Sequence, residues 1–146
     1  MFQPEEREYV ERARVGRLAT TDGEGRPHVV PLCFALDGDT VVSAIDEKPQ
    51  DVSPDRLTRL RNIDANPRVM LVVDHYTEDW SELGWVQLRG TAERCRPGDA
   101  KHADGVSLLR AKYDQYVNHD LERRPLVSIA VGSVQSWGRL DCAADE

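Results

Sequence analysis

Arg56, Arg59, Arg61 and Arg68 crowd into the stretch "RLTRLRNIDANPRVML" against a single acid, Asp64, in a 146-residue chain whose net charge is -7. Guanidinium groups are permanently charged, forked donors that suit phosphate and carboxylate oxygens. The residues around them predict a helix, with Ser53, Pro54 and Asp55 at its N-cap, N1 and N2 positions and Asn66-Pro67 at its end. A helix N-terminus adds free backbone N–H groups and the positive end of a dipole. Leu57, Leu60 and Ile63 form the apolar stripe of this helix. Arg59 and Arg61 flank the stripe on opposite edges, and Arg56 falls in the first turn. Such a cluster is either a site for a phosphate or a solvated helix face whose arginines pair with surplus acids.

Other residue types point to less chemistry. His28, His75, His102 and His119 lack metal-ligand spacing, so no metal site is expected. No nucleophile elbow, P-loop or dinucleotide fingerprint is present, and no catalytic residue is assigned. Cys33, Cys95 and Cys142 are odd in number and widely spaced, which fits reduced thiols. Of the tryptophans, Trp80 and Trp85 sit in "DWSELGW" beside a predicted strand start, and Trp137 lies near the end of the chain. The acidic balance argues against general nucleic-acid binding, which needs a broad basic face. No apolar run approaches the length that spans a bilayer, and the N-terminus alternates acid and base without an apolar signal core. The expectation is a cytoplasmic protein with neither a nucleic-acid nor a membrane partner.

The elements that must position the arginines follow from periodicity and turn chemistry. "PEEREYVERARV" predicts a short helix with Pro4 in its first turn. The runs "GRLATT", "RPHVVPLCFAL" and "TVVSAI" are separated by Asp22-Gly23 and Asp37-Gly38, strong hairpin signals that predict a three-stranded meander. Pro31 inside the second run predicts an edge, a bulge or a gap in pairing. "RVMLVVDHY" is a nearly continuous β-branched run, expected to be buried on both faces and paired with "GWVQLRGTAERC". A third helix is expected through "DAKHADGVSLLRAKYDQY", then a last strand, "RPLVSIAVGSVQSW". The pattern predicts an α+β fold in which a six-stranded antiparallel β-barrel carries inserted helices. Residues 1–140 are expected to form one domain, with residues 141–146 expected as a flexible acidic tail.

The order of these parts resembles the split β-barrel superfamily of flavin and deazaflavin oxidoreductases, the pyridoxamine-phosphate-oxidase-like family. The resemblance covers roughly residues 5 to 140 and rests on "GRLATTDGEGRPHVVPLCFAL", "TVVSAI", "RLTRLRNIDANP", "RVMLVVD" and "GWVQLRGTAE" in that order. "SAIDEKP", "DWSELGWVQLRGTAE" and "LLRAKYDQY" further resemble a subgroup that uses coenzyme F420. The resemblance implies an FMN-binding split barrel fold and a homodimer with the cofactor at the subunit interface. It also implies hydride transfer between F420 and a small organic substrate. The alternatives are FMN in the same place, or a non-catalytic flavin- or haem-binding protein, with His75 the first histidine to consider for haem.

Counting back from Asn66-Pro67 matches Arg59 to the family's phosphate contact, with Arg56 or Arg61 standing in for a second basic residue where Thr58 falls. Lys48 matches part of a lysine motif whose last position is Gln50 here. Val30, Pro31 and Leu32, with Ser43, Ala44 and Ile45 opposite, match the strands against which the ring lies. Trp85 and Trp137 match positions that approach the ring from the other subunit.

Overall fold

The computed structural model describes residues 1–45 and 57–141. Helix α1 (Pro4–Arg12) leads into β1 (Gly16–Thr21), β2 (Pro27–Leu32), β3 (Ala35–Asp37) and β4 (Thr40–Ala44). Helix α2 (Thr58–Ala65) follows, then β5 (Arg68–His75), β6 (Gly84–Cys95), α3 (Ala100–Lys112) and β7 (Leu126–Gly138). All strand pairs are antiparallel, and the sheet order is β2-β1-β5-β6-β7-β4-β3. The α+β barrel expected from the sequence is present, with seven strands among the described residues instead of six.

The extra strand arises because "RPHVVPLCFAL" breaks at Cys33-Phe34. The predicted meander fails at the same point: β2 pairs with β1 at one edge of the sheet, and β3 pairs with β4 at the other. Only Cys33 and Phe34 separate β2 from β3 in the chain. Three residue steps span at most roughly 11 Å, so the two edges are tied together and the sheet must curl into a barrel.

Side chains reinforce the seam. Phe34 is fully buried, and Ser43 Oγ donates to the Cys33 carbonyl at 2.7 Å. Lys112 Nζ donates to the Phe34 carbonyl at 2.9 Å and lies 4.1 Å from the centre of the Phe34 ring. The Tyr113 hydroxyl accepts the Phe34 N–H and donates to the Arg14 carbonyl at 2.8 Å. Burial lowers the Lys112 ammonium to about 8 and raises the Tyr113 phenol to about 12.

Turn chemistry explains the hairpins. Gly38 has φ +61 in the two-residue β3–β4 turn, as Asp37-Gly38 predicts. In the β1–β2 turn the positive φ, +82, falls on Gly25 and not on Gly23. There the Asp22 carboxylate accepts the N–H groups of Glu24 and Arg26 and draws the loop around itself.

The barrel interior holds Leu18, Leu60, Leu71, Leu88 and Ile129, with Tyr9 and Val10 of α1 joining the same core. A second cluster, built on Val42, Ala44, Val106, Leu109 and Leu126, joins α3 to the outer side of β4 and the start of β7. Beyond α3 the outer face is open. Val29, Arg17, Arg68, Arg89, Ser133 and Trp137 point outward and are exposed. β5 therefore alternates: Val69, Leu71 and Val73 are buried, whereas Met70 and Val72 are half-buried. The expectation of burial on both faces does not hold within a single chain, because α3 stops short of this strand.

Candidate functional site

Helix α2 begins at Thr58, about a turn later than predicted, because Leu57 is extended (φ -67, ψ 132). Ser53, Pro54 and Asp55 lie outside the described residues, as do Lys48 and Arg56. The apolar stripe behaves as its spacing predicts: Leu60 and Ile63 are buried, and Leu57 packs against them. Polar ties set the rotation of the helix. Asn62 Nδ2 donates to Thr20 Oγ1 at 3.0 Å, and Asn66 Nδ2 donates to Thr21 Oγ1 at 2.9 Å. Asp64 accepts Arg94 Nε at 3.0 Å and Nη2 at 2.7 Å. α2 is thereby held between β1 and β6.

The remaining face of α2 lines a polar cleft of about 310 Å³, where Thr58, Arg61 and Asn62 oppose Asp22 and Gly23 of the β1–β2 turn. The Asp22 carboxylate is engaged by Arg26 Nε at 2.7 Å as well as by two backbone N–H groups, and the Arg26 contact holds it down at about 2. Arg61 is exposed, and its guanidinium meets no acid among the described residues. Arg59 is half-buried two positions earlier on the helix. An unpaired guanidinium, a hydroxyl and an already neutralised acid suit a phosphate.

A larger groove of about 510 Å³ opens on the outer face of the sheet, with Ala19, Pro27 and Met70 as apolar walls and Arg68, Arg89 and Ser133 as polar ones. Arg89 was not anticipated from the sequence. A lone arginine inside a strand carries no local signal, and only the β5–β6 register sets it beside Arg68. Arg68 belongs to the arginine-rich stretch but, as the "RVMLVVDHY" run predicts, it begins β5, and it lines this groove.

The residues matched to the ring lie elsewhere. Val30, Pro31 and Leu32 are on β2, an edge strand, where the missing N–H of Pro31 breaks no ladder. Pro31 is exposed, and Val30 and Leu32 are half-buried. Ser43, Ala44 and Ile45 are buried at 2%, 4% and 2% exposure. Ser43 Oγ donates to the Cys33 carbonyl, one residue beyond β2.

Trp85 and Trp137 are direct partners across β6 and β7, and Trp137 is 53% exposed. Along β6, Trp85 stands nine residues from Arg94, the strand's tie to α2, which is roughly 25–30 Å. Neither tryptophan lines the α2 cleft.

His75 is buried, with Nδ1 2.7 Å from the Tyr9 hydroxyl and Nε2 against the Glu82 carbonyl. Both ring nitrogens are therefore engaged. Among the described residues no group of three or more His, Cys, Asp or Glu side chains is arranged to hold a metal. No helix of the described residues is long and apolar enough to cross a membrane.

The family profile for pyridoxamine 5'-phosphate oxidase matches residues 2–139. A curated relative is a 5a,11a-dehydrotetracycline/5a,11a-dehydrooxytetracycline reductase of Streptomyces rimosus. It is 33% identical over 98 residues, and the match covers 66% of each chain. Among solved structures, a haem-binding protein from Mycobacterium smegmatis superposes with a TM-score of 0.74 at 21% identity, covering 97% of this chain and 57% of that one. An F420 reductase superposes with a TM-score of 0.64 at 24% identity, covering 88% and 94%. The chain thus spans about two thirds of the curated relative and just over half of the haem-binding protein.

Proposed function

Because the chain belongs to the pyridoxamine 5'-phosphate oxidase family, we propose that it is an oxidoreductase that holds a phosphate-bearing flavin or deazaflavin ring at the junction of two copies. The observation that carries this reading is Arg61, a guanidinium that lines a polar cleft and meets no acid among the described residues of an acidic protein. Arg61 and Thr58 would take the phosphate oxygens, and Arg59 would add charge from the neighbouring helix position.

When bound, such a ring supplies hydride transfer to or from an unsaturated small organic molecule. The chain's own part is to anchor, orient and exclude water. The α2 ties to Thr20, Thr21 and Arg94 keep Arg61 at a set distance from the sheet.

The homodimer is argued from the open outer face. Val29 is 61% exposed, and Met70 and Val72 are half-buried on the same surface, an apolar strip of the kind that marks an interface. A second copy lying there would cover β5 on its other side. It would also bring its Trp85 and Trp137 to the α2 cleft, which neither lines in its own chain. Val30 to Leu32 and Ser43 to Ile45 stay proposed ring contacts, through backbone groups where the side chains are buried.

The family favours FMN, which ends at its phosphate. Coenzyme F420 is a second reading, favoured by Arg56, Arg59 and Arg61 against the single acid Asp64 in residues 56–64, which would suit an anionic tail beyond the phosphate. The curated relative's name as a reductase and the likeness to an F420 reductase are compatible with it. Side-by-side fluorescence titration of the purified chain with FMN and with F420 separates the two. Arg61→Ala should weaken the ligand that binds by about 1.5–3 kcal/mol, the scale of a charged hydrogen bond. An affinity unchanged by Arg61→Ala would remove α2 as the anchor.

A further inference from the structure

We propose that Arg68 and Arg89 form a second anion site, separate from the α2 cleft, that grips the carboxylate of a flat, largely apolar organic acid lying in the outer groove. The register supplies the geometry. Arg68 stands opposite Thr91 and Arg89 opposite Met70, so the two arginines are diagonal neighbours on one face of the β5–β6 pair. Diagonal neighbours are about 7–8 Å apart at Cα, within reach of two long side chains converging on one group. A carboxylate between two guanidinium forks receives donors from both sides.

Many other arginines of the chain are already paired. Arg7, Arg17, Arg26, Arg94, Arg110 and Arg139 each meet a carboxylate. The guanidinium groups of Arg68 and Arg89 meet none among the described residues, although the chain has an excess of acids. Two like charges placed side by side without a counter-charge repel each other, and a bound anion relieves that repulsion. Glu93, the acid diagonal to Arg68 beyond Thr91, makes no ion pair with it, and Asp74, further along β5, is held by Arg17 at 2.6 Å.

The walls specify the rest of the ligand. Ala19, Pro27 and Met70 present an apolar surface on a sheet, which favours a flat body, and Thr91 and Ser133 offer hydroxyls near the charged end. The groove and the α2 cleft share the β1–β2 hairpin, with Thr21 and Pro27 in the first and Asp22 and Gly23 in the second. That neighbourhood suits a substrate lying beside a cofactor. Assigning the acid as substrate rests on the oxidoreductase proposal, but its binding does not.

Calorimetric titration of the full chain tests the site with three probes: 2-naphthoate, the neutral naphthalene-2-carboxamide and inorganic phosphate. Naphthoate should bind, and the carboxamide should bind at least about tenfold more weakly. Arg68→Gln and Arg89→Gln should each weaken naphthoate about tenfold or more, with melting temperature and FMN or F420 affinity unchanged. That pattern would stand even if neither cofactor bound, so the two proposals fail separately. Equal binding of naphthoate and carboxamide would overturn the site. So would phosphate binding that depends on Arg68 and Arg89 while naphthoate does not bind, because the pair would then serve a phosphoryl group. A loss of dimer in either variant, with naphthoate unaffected, would overturn it in favour of acids from a second copy.

Discussion

Replacing Gly90 by alanine should destabilise the barrel where β6 changes register. The β6–β7 ladder shifts between Arg89 and Gly90. A Cβ built on Gly90 would stand 2.4 Å from the Ala130 carbonyl oxygen and 2.9 Å from Ile129 Cγ2. The first of these is backbone of a central strand bonded on both sides, so it cannot swing away like a side-chain tip. Restoring even a tight contact requires the strands to part by about 0.6 Å, and overpacking of this kind costs about 2–3 kcal/mol. At roughly 2.1 cal/mol/K per residue, a chain of this length unfolds with about 0.3 kcal/mol/K of entropy, so the melting temperature should fall by about 7–10 °C. Gly132, on the facing strand of the same groove, is the control. Its Cβ would meet only the Arg89 carbonyl, at 3.6 Å, so Gly132→Ala should change stability by less than about 1 kcal/mol in either direction. Thermal and urea melts followed by circular dichroism measure both variants. Equal melting temperatures for the two would refute the claim that close strand approach at the bulge requires glycine.

Asn62→Ala removes the buried bond to Thr20 and leaves that hydroxyl without its donor, so it should cost about 1–3 kcal/mol in a urea melt. It should also loosen α2 and weaken ligand binding at the Arg61 cleft. Lys112 gives a pH signature. Burial lowers its ammonium from the ordinary 10.5 to about 8, so between those values the unfolded chain holds a proton that the folded chain has released. Stability contributed by this residue therefore rises with pH across that window. After allowance for solvent screening at a half-buried group, the gain is about 1–2 kcal/mol. Lys112→Met should abolish that rise in the difference between the two stability curves, and parallel curves from pH 7 to 10 would show that the ammonium is not desolvated.

Local chemistry carried much of the fold into the sequence. The Asp37-Gly38 turn, the Leu57, Leu60, Ile63 stripe, the Asn66-Pro67 helix end and the pairing of "RVMLVVDHY" with "GWVQLRGTAERC" all depend on neighbours a few residues apart or on simple alternation, and all are present. Proline at position 31 pointed to an edge, and β2 is an edge. The break at Cys33-Phe34 was not legible, because it depends on Phe34 finding the barrel core and on Lys112 and Tyr113 closing over it from nearly eighty residues away.

The candidate site divides along the same line. A concentration of arginine against an acidic background is a property of composition, and it marks the Arg56, Arg59 and Arg61 group, with Arg59 as the matched phosphate contact. Which arginines lack a carboxylate is a property of register and packing. Arg94 finds Asp64 across thirty positions, and Arg17 finds Asp74 across fifty-seven. Arg68 and Arg89 are instead brought together over an apolar groove where no acid among the described residues pairs with them. The sequence by itself determined most of the strands, the helices and the surplus of positive charge near position 60, because these arise from short-range propensity and pattern. Only the tertiary structure decided where that charge stays unneutralised, because pairing energy depends on distances set by strand register and not by order along the chain.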